Sequence, residues 1–267
     1  WAYMKERLNA DIDAEHAGKP VSLLAKWIAT PDASSKKTRA LGIQTARALG
    51  YEVSDFKRIL RGLRKETKVV ERDMSANRWS EIAYPSVPSR AMKNYANAFR
   101  RHDGERFDNF INKAVTGEVK INASTLYPYD LVKEVWGSRY GGWGRARVIE
   151  DKAIEAQWRA LPNYVRDGVN ALVIADTSGS MEWGDGRPLY TALSLAIYFA
   201  ERNTGAYHDL WMTFSASSEI RTLKGETLAQ KLSSIDTDGW GSSTNLEAAF
   251  EEVLEIAVEN HIQQEEM

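Results

Sequence analysis

Three side chains with ligand oxygens follow a short apolar run near the middle of the chain. The run ALVIA leads into Asp176, and Ser178 and Ser180 follow at a spacing of two residues. In an extended segment, side chains two residues apart point to the same side, so these three side chains can converge on one point. Gly179 allows the backbone to fold closely around that point. One carboxylate and two hydroxyls form a hard oxygen ligand set, which favours Mg²⁺ or Mn²⁺ over zinc or copper.

The residues around this cluster indicate an α/β region. A short apolar run bounded by turn residues is typical of a parallel strand that is buried on both faces. Strands and helices alternate from here on, with extended segments over 171–175, 208–215 and 218–223 and helices over 189–205, 226–235 and 245–261. This alternation predicts a doubly wound parallel sheet, in which ligands bind beyond the carboxyl ends of the strands. The helix after the cluster would direct its N-terminal end toward the site, which favours an anionic ligand.

The first 166 residues predict helices only. The most amphipathic segment is VSDFKRILRGLRKET (53–67), whose apolar side carries Phe56, Ile59, Leu60 and Leu63. The basic side of this segment and the residues after it supply eight candidate RNA contacts, which are Lys57, Arg58, Arg61, Arg64, Lys65, Lys68, Arg72 and Arg78. A basic run of this kind is otherwise simply a solvated helix face. Apolar spacing also predicts a helix over 20–30, a helix that begins after the serines at 34–35 and ends at Gly50, and two helices after residue 88. The aromatic side chains over 79–110 are either core residues of these helices or surfaces for base stacking. Such short paired helices favour a helical-repeat-like scaffold.

The two halves of the chain carry opposite net charges. Residues 1–166 hold 30 basic and 20 acidic side chains, a net charge of +10, whereas residues 167–267 hold 5 and 17, a net charge of −12. This asymmetry indicates either a nucleic-acid-binding part or two domains that attract each other. We therefore expect a basic all-helical domain over 1–166 and an α/β domain over 167–267.

Composition excludes several classes of protein. The 267 residues are 43% apolar and 27% charged, which is typical of a globular protein with packed cores. The sequence contains no cysteine, which excludes disulfides, thiolate catalysis and zinc–thiolate sites. No apolar run approaches the roughly 20 residues that a membrane span needs, and the first residues lack a signal-peptide pattern. We therefore expect a cytoplasmic protein with no membrane partner.

The segment DTSGS (176–180) resembles the Asp-x-Ser-x-Ser metal-ion-dependent adhesion site of von Willebrand factor A-type domains. Its place after a strand and before a helix, with GSSTNLEAAF (241–250) further along, makes the resemblance specific. In that family a later Thr joins the two serines as a metal ligand, and the first Asp holds a coordinating water. The resemblance implies a Mg²⁺ or Mn²⁺ site that recruits a carboxylate of a protein partner. Its residues would be Asp176, Ser178, Ser180 and Thr244.

One part of the A-type pattern is missing. The family supplies a further Asp after the next buried strand, whereas the sequence ends with ENHIQQEEM (259–267), before any such strand. Residues 167–267 correspond to roughly half of an A-type domain. We therefore expect a truncated domain whose sheet continues in residues beyond those given.

Segments 74–132, 173–181 and 239–245 extend the resemblance to nearly the whole chain. They resemble a family of uncharacterised proteins of phages, giant viruses, plants and fungi (domain of unknown function 2828), in which a helical region precedes an A-type domain. More distantly, this architecture is similar to the Ro ring proteins. The TROVE region of those proteins is a ring of helical repeats that binds structured and misfolded RNA. By analogy, we expect TROVE-like RNA binding by the helical domain.

Together these patterns predict a non-catalytic binding protein, with an RNA-binding helical scaffold and a metal-dependent protein-binding site. The alternative is a protein–protein assembly factor whose basic part contacts acidic protein, without RNA. A metal-dependent enzyme is less favoured, because Ser180 lies in no Gly-x-Ser-x-Gly elbow and has no paired base. Ser178 also occupies the position where a phosphatase-like site would have a second Asp.

Overall fold

The computed structural model describes residues 1–67, 69–136, 148–168, 171–184, 186–214, 218–235, 240, 245–259 and 261. It is a mixed α/β structure that is mostly helical and contains one small sheet. The chain divides into two compact units, Trp1–Ile82 and Ala83–Met267. Of the described helices, none is both long and apolar enough to span a bilayer.

The first unit contains five α-helices among its described residues: α1 Ala2–His16, α2 Leu24–Trp27, α3 Lys36–Ala48, α4 Val53–Glu66 and α5 Val70–Ser75. The side chain of Ser35 caps α3 by accepting a hydrogen bond from the backbone N–H of Thr38. Gly50 follows α3 with φ +77°, a conformation that glycine adopts without strain and that commonly ends helices. The sequence had predicted both ends from the serines before α3 and from this glycine.

α4 separates an apolar side from a basic side. Phe56, Leu60 and Leu63 are almost completely buried. They share one core with Leu8 of α1 and Leu49, next to the end of α3. The basic residues of α4 lie on the remaining surface, so the predicted amphipathic helix is confirmed.

The second unit begins with the helices α6 Ser89–Val115, α7 Pro128–Trp136 and α8 Lys152–Arg159. α6 consists of two helical segments that meet at Asp103, whose backbone angles (φ −150°, ψ 43°) are not helical. The sequence had predicted two helices here. The hydroxyl of Tyr84 donates a hydrogen bond of 2.7 Å to the Asp103 carboxylate, and its ring contacts Phe99 and Phe107. These aromatic side chains therefore belong to a core and are not exposed stacking surfaces.

The sheet contains β1 Val173–Asp176, β2 Leu210–Phe214 and β3 Glu219–Thr222, in the order β1-β2-β3. α9 Arg187–Ala200 connects β1 to β2, and these strands are parallel, as predicted. β3 is antiparallel to β2, so the described sheet is mixed and not purely parallel. The reason is local: four residues separate β2 from β3, whereas a parallel connection needs a crossover of a dozen or more. The helices α10 Leu228–Ser233 and α11 Leu246–Glu259 follow.

The second unit combines residues from both sides of the predicted domain boundary at 166/167. One apolar core contains Leu131 and Val135 of α7, Trp158 of α8, Leu193 of α9 and Trp211 of β2. Packing thus joins α7 and α8 to the α/β region, while the change in sequence pattern and charge lies near residue 167. The division at 166/167 and the helical-repeat arrangement stay predictions.

Candidate functional site

The carboxyl end of β1 is held in place by β2. Asp176, the last residue of β1, lies opposite Phe214, the last residue of β2. The backbone N–H of Thr177 donates a hydrogen bond of 3.0 Å to the carbonyl of Phe214. The chain therefore stays attached to the sheet one residue beyond the strand, and then turns into a short 3₁₀ helix over Gly179–Glu182.

This turn brings together three of the four predicted metal-site residues. The backbone N–H of Ser178 donates a hydrogen bond of 2.9 Å to Oδ1 of Asp176. The hydroxyl oxygens of Ser178 and Ser180 are 3.3 Å apart. Ser178 is buried, Asp176 is half-buried and Ser180 is exposed, so the cluster runs from the interior to the surface. A ligand arriving from solvent would meet Ser180 first.

The fourth predicted residue, Thr244, lies outside the described residues. On one side of it, Trp240 is buried and stacks on Trp136 of α7, with ring centroids 6.4 Å apart. On the other side, α11 begins at Leu246, and Asn245 Oδ1 accepts a hydrogen bond from the backbone N–H of Ala248. Thr244 thus stays a predicted ligand.

The described residues contain no group of three or more His, Cys, Asp or Glu side chains that could hold a metal ion. The predicted metal site is of a different kind, because its four ligand residues provide one carboxylate and three hydroxyls. α9 packs against the 3₁₀ turn, and Gly186 precedes this helix with φ +70°. The turn is therefore fixed between the sheet and a helix, and the residues described around it include no cluster of three or more carboxylates.

The predicted basic residues concentrate in a cleft of about 640 Å³ on the first unit, which we call the α4 cleft. Five of the eight candidates line it, namely Lys57, Arg61, Arg64, Lys65 and Arg72. Lys26 of α2 adds a sixth basic side chain, and the acidic side chains in the lining are Asp32 and Glu71. The described lining therefore carries an excess of four positive charges.

Two of the other three candidates, Arg58 and Arg78, do not line this cleft. Arg58 is 80% exposed and forms an ion pair with Asp55 at 2.7 Å. Arg78 forms ion pairs with Asp73 at 2.6 Å and Glu81 at 3.1 Å, and these acidic partners raise the pKa of its guanidinium. Lys68 lies outside the described residues.

Arg64 is part of the framework of the cleft. Its guanidinium donates hydrogen bonds of 2.8 Å to the carbonyls of Ala25 and Ile28, so it ties α4 to α2. Burial lowers the pKa of Arg64, because a cation is less stable away from water. A hydrogen bond from Thr30 lowers the pKa of Asp32, with help from the nearby charges of Lys57 and Arg61, so this carboxylate stays ionised at neutral pH.

Lys26 is a cleft residue that sequence reasoning missed. It lies in the four-residue helix α2 and pairs with Glu71 at 3.2 Å. Lys26 is far from the basic run of α4 in sequence, and the packing of α2 beside α4 brings it to the same surface. The sole sequence signal was the apolar stripe around residue 26, which predicted a helix there.

Basic residues on α6 are engaged in ion pairs. Lys93 pairs with Glu134 at 2.7 Å, and Arg90 pairs with Asp130 at 3.4 Å. Arg100 pairs with Asp151 at 3.1 Å. These side chains link α6 to α7 and to the start of α8, so they have structural roles, in contrast to the basic side chains of the α4 cleft.

Two family models match the chain. The domain of unknown function DUF2828 matches residues 22–169, and the domain of unknown function DUF7788 matches residues 170–267. The chain is similar to "Uncharacterized protein L728" of Acanthamoeba polyphaga mimivirus, with 27% identity over 264 residues. The alignment covers 92% of this chain and 44% of that protein, so the chain spans less than half the length of this relative. No solved structure gives a significant match.

Proposed function

The chain belongs to the DUF2828 family, and we propose that it is a binding protein and not a catalyst. In this proposal Asp176, Ser178, Ser180 and Thr244 hold Mg²⁺ or Mn²⁺ at the edge of the sheet. The cation then recruits an acidic group of a protein partner. The proposal also assigns a von Willebrand A-type fold to the α/β region. This fold is a more specific assignment than the mixed α/β class.

The 3.3 Å separation of the Ser178 and Ser180 hydroxyl oxygens is the observation that carries this proposal. In an octahedral Mg²⁺ shell with metal–oxygen distances of about 2.1 Å, neighbouring ligand oxygens are about 3.0 Å apart. The two hydroxyls therefore fit neighbouring positions in one shell after a small adjustment. The side chains of Asp176, Ser178 and Ser180 offer only oxygen ligands, which suits a hard cation.

The Asp176 carboxylate supports the same proposal. One of its oxygens, Oδ1, accepts the hydrogen bond from the Ser178 backbone and is thereby oriented. Its other oxygen accepts no hydrogen bond from the described residues, so it is available to a water molecule of the metal shell, as the A-type resemblance implies. A bound divalent cation would supply the positive charge that attracts a partner's carboxylate, which no side chain of the turn can provide.

The experiment is a calorimetric titration of the protein with Mg²⁺. Ser180→Ala removes one proposed ligand from an exposed position, and we expect it to weaken binding by about tenfold or more. Ser233→Ala changes an exposed serine of α10 and is the matched control, for which we expect unchanged affinity. Equal affinities of both variants and the unaltered protein would contradict the proposal.

A second candidate function is RNA binding by the helical part, and the α4 cleft is the observation that favours it. If about four phosphates are contacted, RNA affinity should fall roughly 100-fold between about 50 and 200 mM salt, because condensed counterions are released on binding. Charge reversal at Lys57 or Arg61 should reduce this salt dependence, whereas Arg64 is left unchanged because it ties α4 to α2. Absence of RNA binding at low salt would contradict this candidate and favour the protein–protein assembly factor.

A further inference from the structure

The α4 cleft is a concave surface built from three helices. α4 supplies Arg61, Arg64 and Lys65, α2 supplies Lys26, and α5 supplies Arg72. Its volume of about 640 Å³ lies in the range of about 300–1,000 Å³ that is typical of small-molecule sites. Basic side chains that merely solvate a helix would lie on a convex surface, whereas these line one cleft.

Two of the six basic side chains in the cleft are compensated by carboxylates. Lys57 is 3.8 Å from the Asp32 carboxylate, and Lys26 is 3.2 Å from the Glu71 carboxylate. The remaining four, Arg61, Arg64, Lys65 and Arg72, form no ion pair within the described part of the chain. The uncompensated charge is therefore concentrated at the α4 and α5 sides of the cleft.

Two of these four cations are already fixed in position. The guanidinium of Arg64 is held by the carbonyls of Ala25 and Ile28, and that of Arg72 donates a hydrogen bond of 2.5 Å to the carbonyl of Lys65. Carbonyls orient a guanidinium without neutralising its charge. An anion that enters the cleft would thus meet preorganised donors, which reduces the entropy lost on binding.

The chemistry of the lining favours phosphate over other anions. Guanidinium groups match the geometry of phosphate oxygens and bind them through paired hydrogen bonds. The described lining has no aromatic side chain on which a base could stack. The cleft holds four cations that form no described ion pair. A compact group with several negative charges matches them better than a peptide does, because the carboxylates of a peptide are spaced along its chain.

From this arrangement we infer that the α4 cleft binds an oligophosphate, a compact chain of two or three linked phosphates. The group can be a free molecule or the triphosphate end of an RNA. The inference deepens the RNA-binding candidate, since it rests on the same basic surface. The inference differs from the RNA-binding candidate in the ligand: the cleft binds a group with closely linked phosphates, and not the regularly spaced phosphates of a nucleic-acid backbone.

The test is calorimetric titration of the protein with inorganic tripolyphosphate at low salt. The double variant Arg61→Gln, Lys65→Gln removes two exposed charges that form no described ion pair, so the fold should persist, as circular dichroism would verify. We expect its affinity for tripolyphosphate to fall at least tenfold. Arg58→Gln removes one charge from the same helix outside the cleft, and we expect a change of less than twofold.

Two RNAs of one sequence, with a 5′-triphosphate or a 5′-hydroxyl end, distinguish the source of the phosphate. Preferential binding of the triphosphate RNA, with displacement by tripolyphosphate, supports an RNA end as the ligand. Binding of tripolyphosphate without binding of either RNA supports a free oligophosphate and contradicts the RNA candidate alone. The inference is overturned if tripolyphosphate does not bind, if Arg58→Gln weakens it as much as the double variant, or if a polyglutamate peptide binds more tightly.

Discussion

The hydroxyl oxygens of Ser178 and Ser180 lie 3.3 Å apart, just beyond the carboxyl end of β1. The Asp176 carboxylate orients the same turn through its hydrogen bond to the Ser178 backbone. β1 and β2 are in parallel register up to Asp176 and Phe214, so the turn is anchored at an edge where two strands end together. Such an edge is where open α/β sheets bind ligands.

Asp176→Asn separates the structural role of this side chain from its proposed metal role. The amide oxygen of Asn can still accept the Ser178 hydrogen bond, so the free energy of unfolding without metal should change by less than about 1 kcal/mol. With Mg²⁺ at about 100 times its dissociation constant, the unaltered protein should gain about 2.7 kcal/mol of stability, and the variant much less. Urea unfolding with and without Mg²⁺ measures both effects. A loss of several kcal/mol without metal would mean that Asp176 is primarily structural.

Arg64→Gln tests whether this residue holds α4 to α2. The variant loses two charge-assisted hydrogen bonds to the carbonyls of Ala25 and Ile28, and we expect it to destabilise the protein by about 2–4 kcal/mol. Arg58→Gln, on the exposed side of α4, should change stability by less than about 0.5 kcal/mol. Urea unfolding of the two variants checks the difference. Equal midpoints would contradict the structural role.

Gly42→Ala tests the close approach of α3 to residues 30–31. A Cβ at position 42 would lie 2.6 Å from the backbone nitrogen of Pro31 and would also collide with the carbonyl of Thr30. Because both contacts are backbone atoms, we expect a loss of about 1–3 kcal/mol. Gly104→Ala, in α6, has no neighbouring atom within 4 Å of the added Cβ and should not lower stability. Thermal unfolding of the two variants measures the difference in stability. If Gly42→Ala leaves stability unchanged, the close packing of α3 against residues 30–31 is contradicted.

Tyr84 should make the protein sensitive to alkaline pH. Burial, and then the hydrogen bond to Asp103, raise the pKa of its hydroxyl well above the usual range. A raised pKa in the folded state stabilises the protein below the unfolded pKa of about 10, and this contribution is lost as the pH rises further. Tyr84→Phe should reduce the decline of stability between about pH 9 and 11, although it loses a hydrogen bond worth about 1 kcal/mol. Urea unfolding across this range measures the decline. Tyr3→Phe changes an exposed tyrosine and is the control. If stability declines with pH equally in both variants, the raised pKa of Tyr84 is contradicted.

Local structure was predictable where neighbouring residues decide it. The spacing of Phe56, Leu60 and Leu63 defines the buried side of α4, and the apolar run before Asp176 forms β1. The two helices expected after residue 88 are the two segments of α6 on either side of Asp103. In each case the pattern lies within one element, so periodicity and turn residues contain enough information.

Features that depend on tertiary packing were not predictable in the same way. The antiparallel pairing of β3 depends on a connection too short for a crossover, a constraint that strand propensity does not express. The concave shape of the α4 cleft depends on α2 and α5, which bring Lys26 and Arg72 beside α4. The sequence identified the basic residues, and packing decides which of them share a surface.

Mn²⁺ binding measured by electron paramagnetic resonance tests the metal-site proposal most directly, because the proposal requires ligands from two separate segments. The unaltered protein should bind one Mn²⁺, which Mg²⁺ displaces. Thr244→Ala and the double variant Ser178→Ala, Ser180→Ala should each weaken this binding at least tenfold, whereas Ser233→Ala should not change it. Absence of bound Mn²⁺ in the unaltered protein, or equal binding by all of these variants, would contradict a divalent-cation site at the carboxyl end of β1.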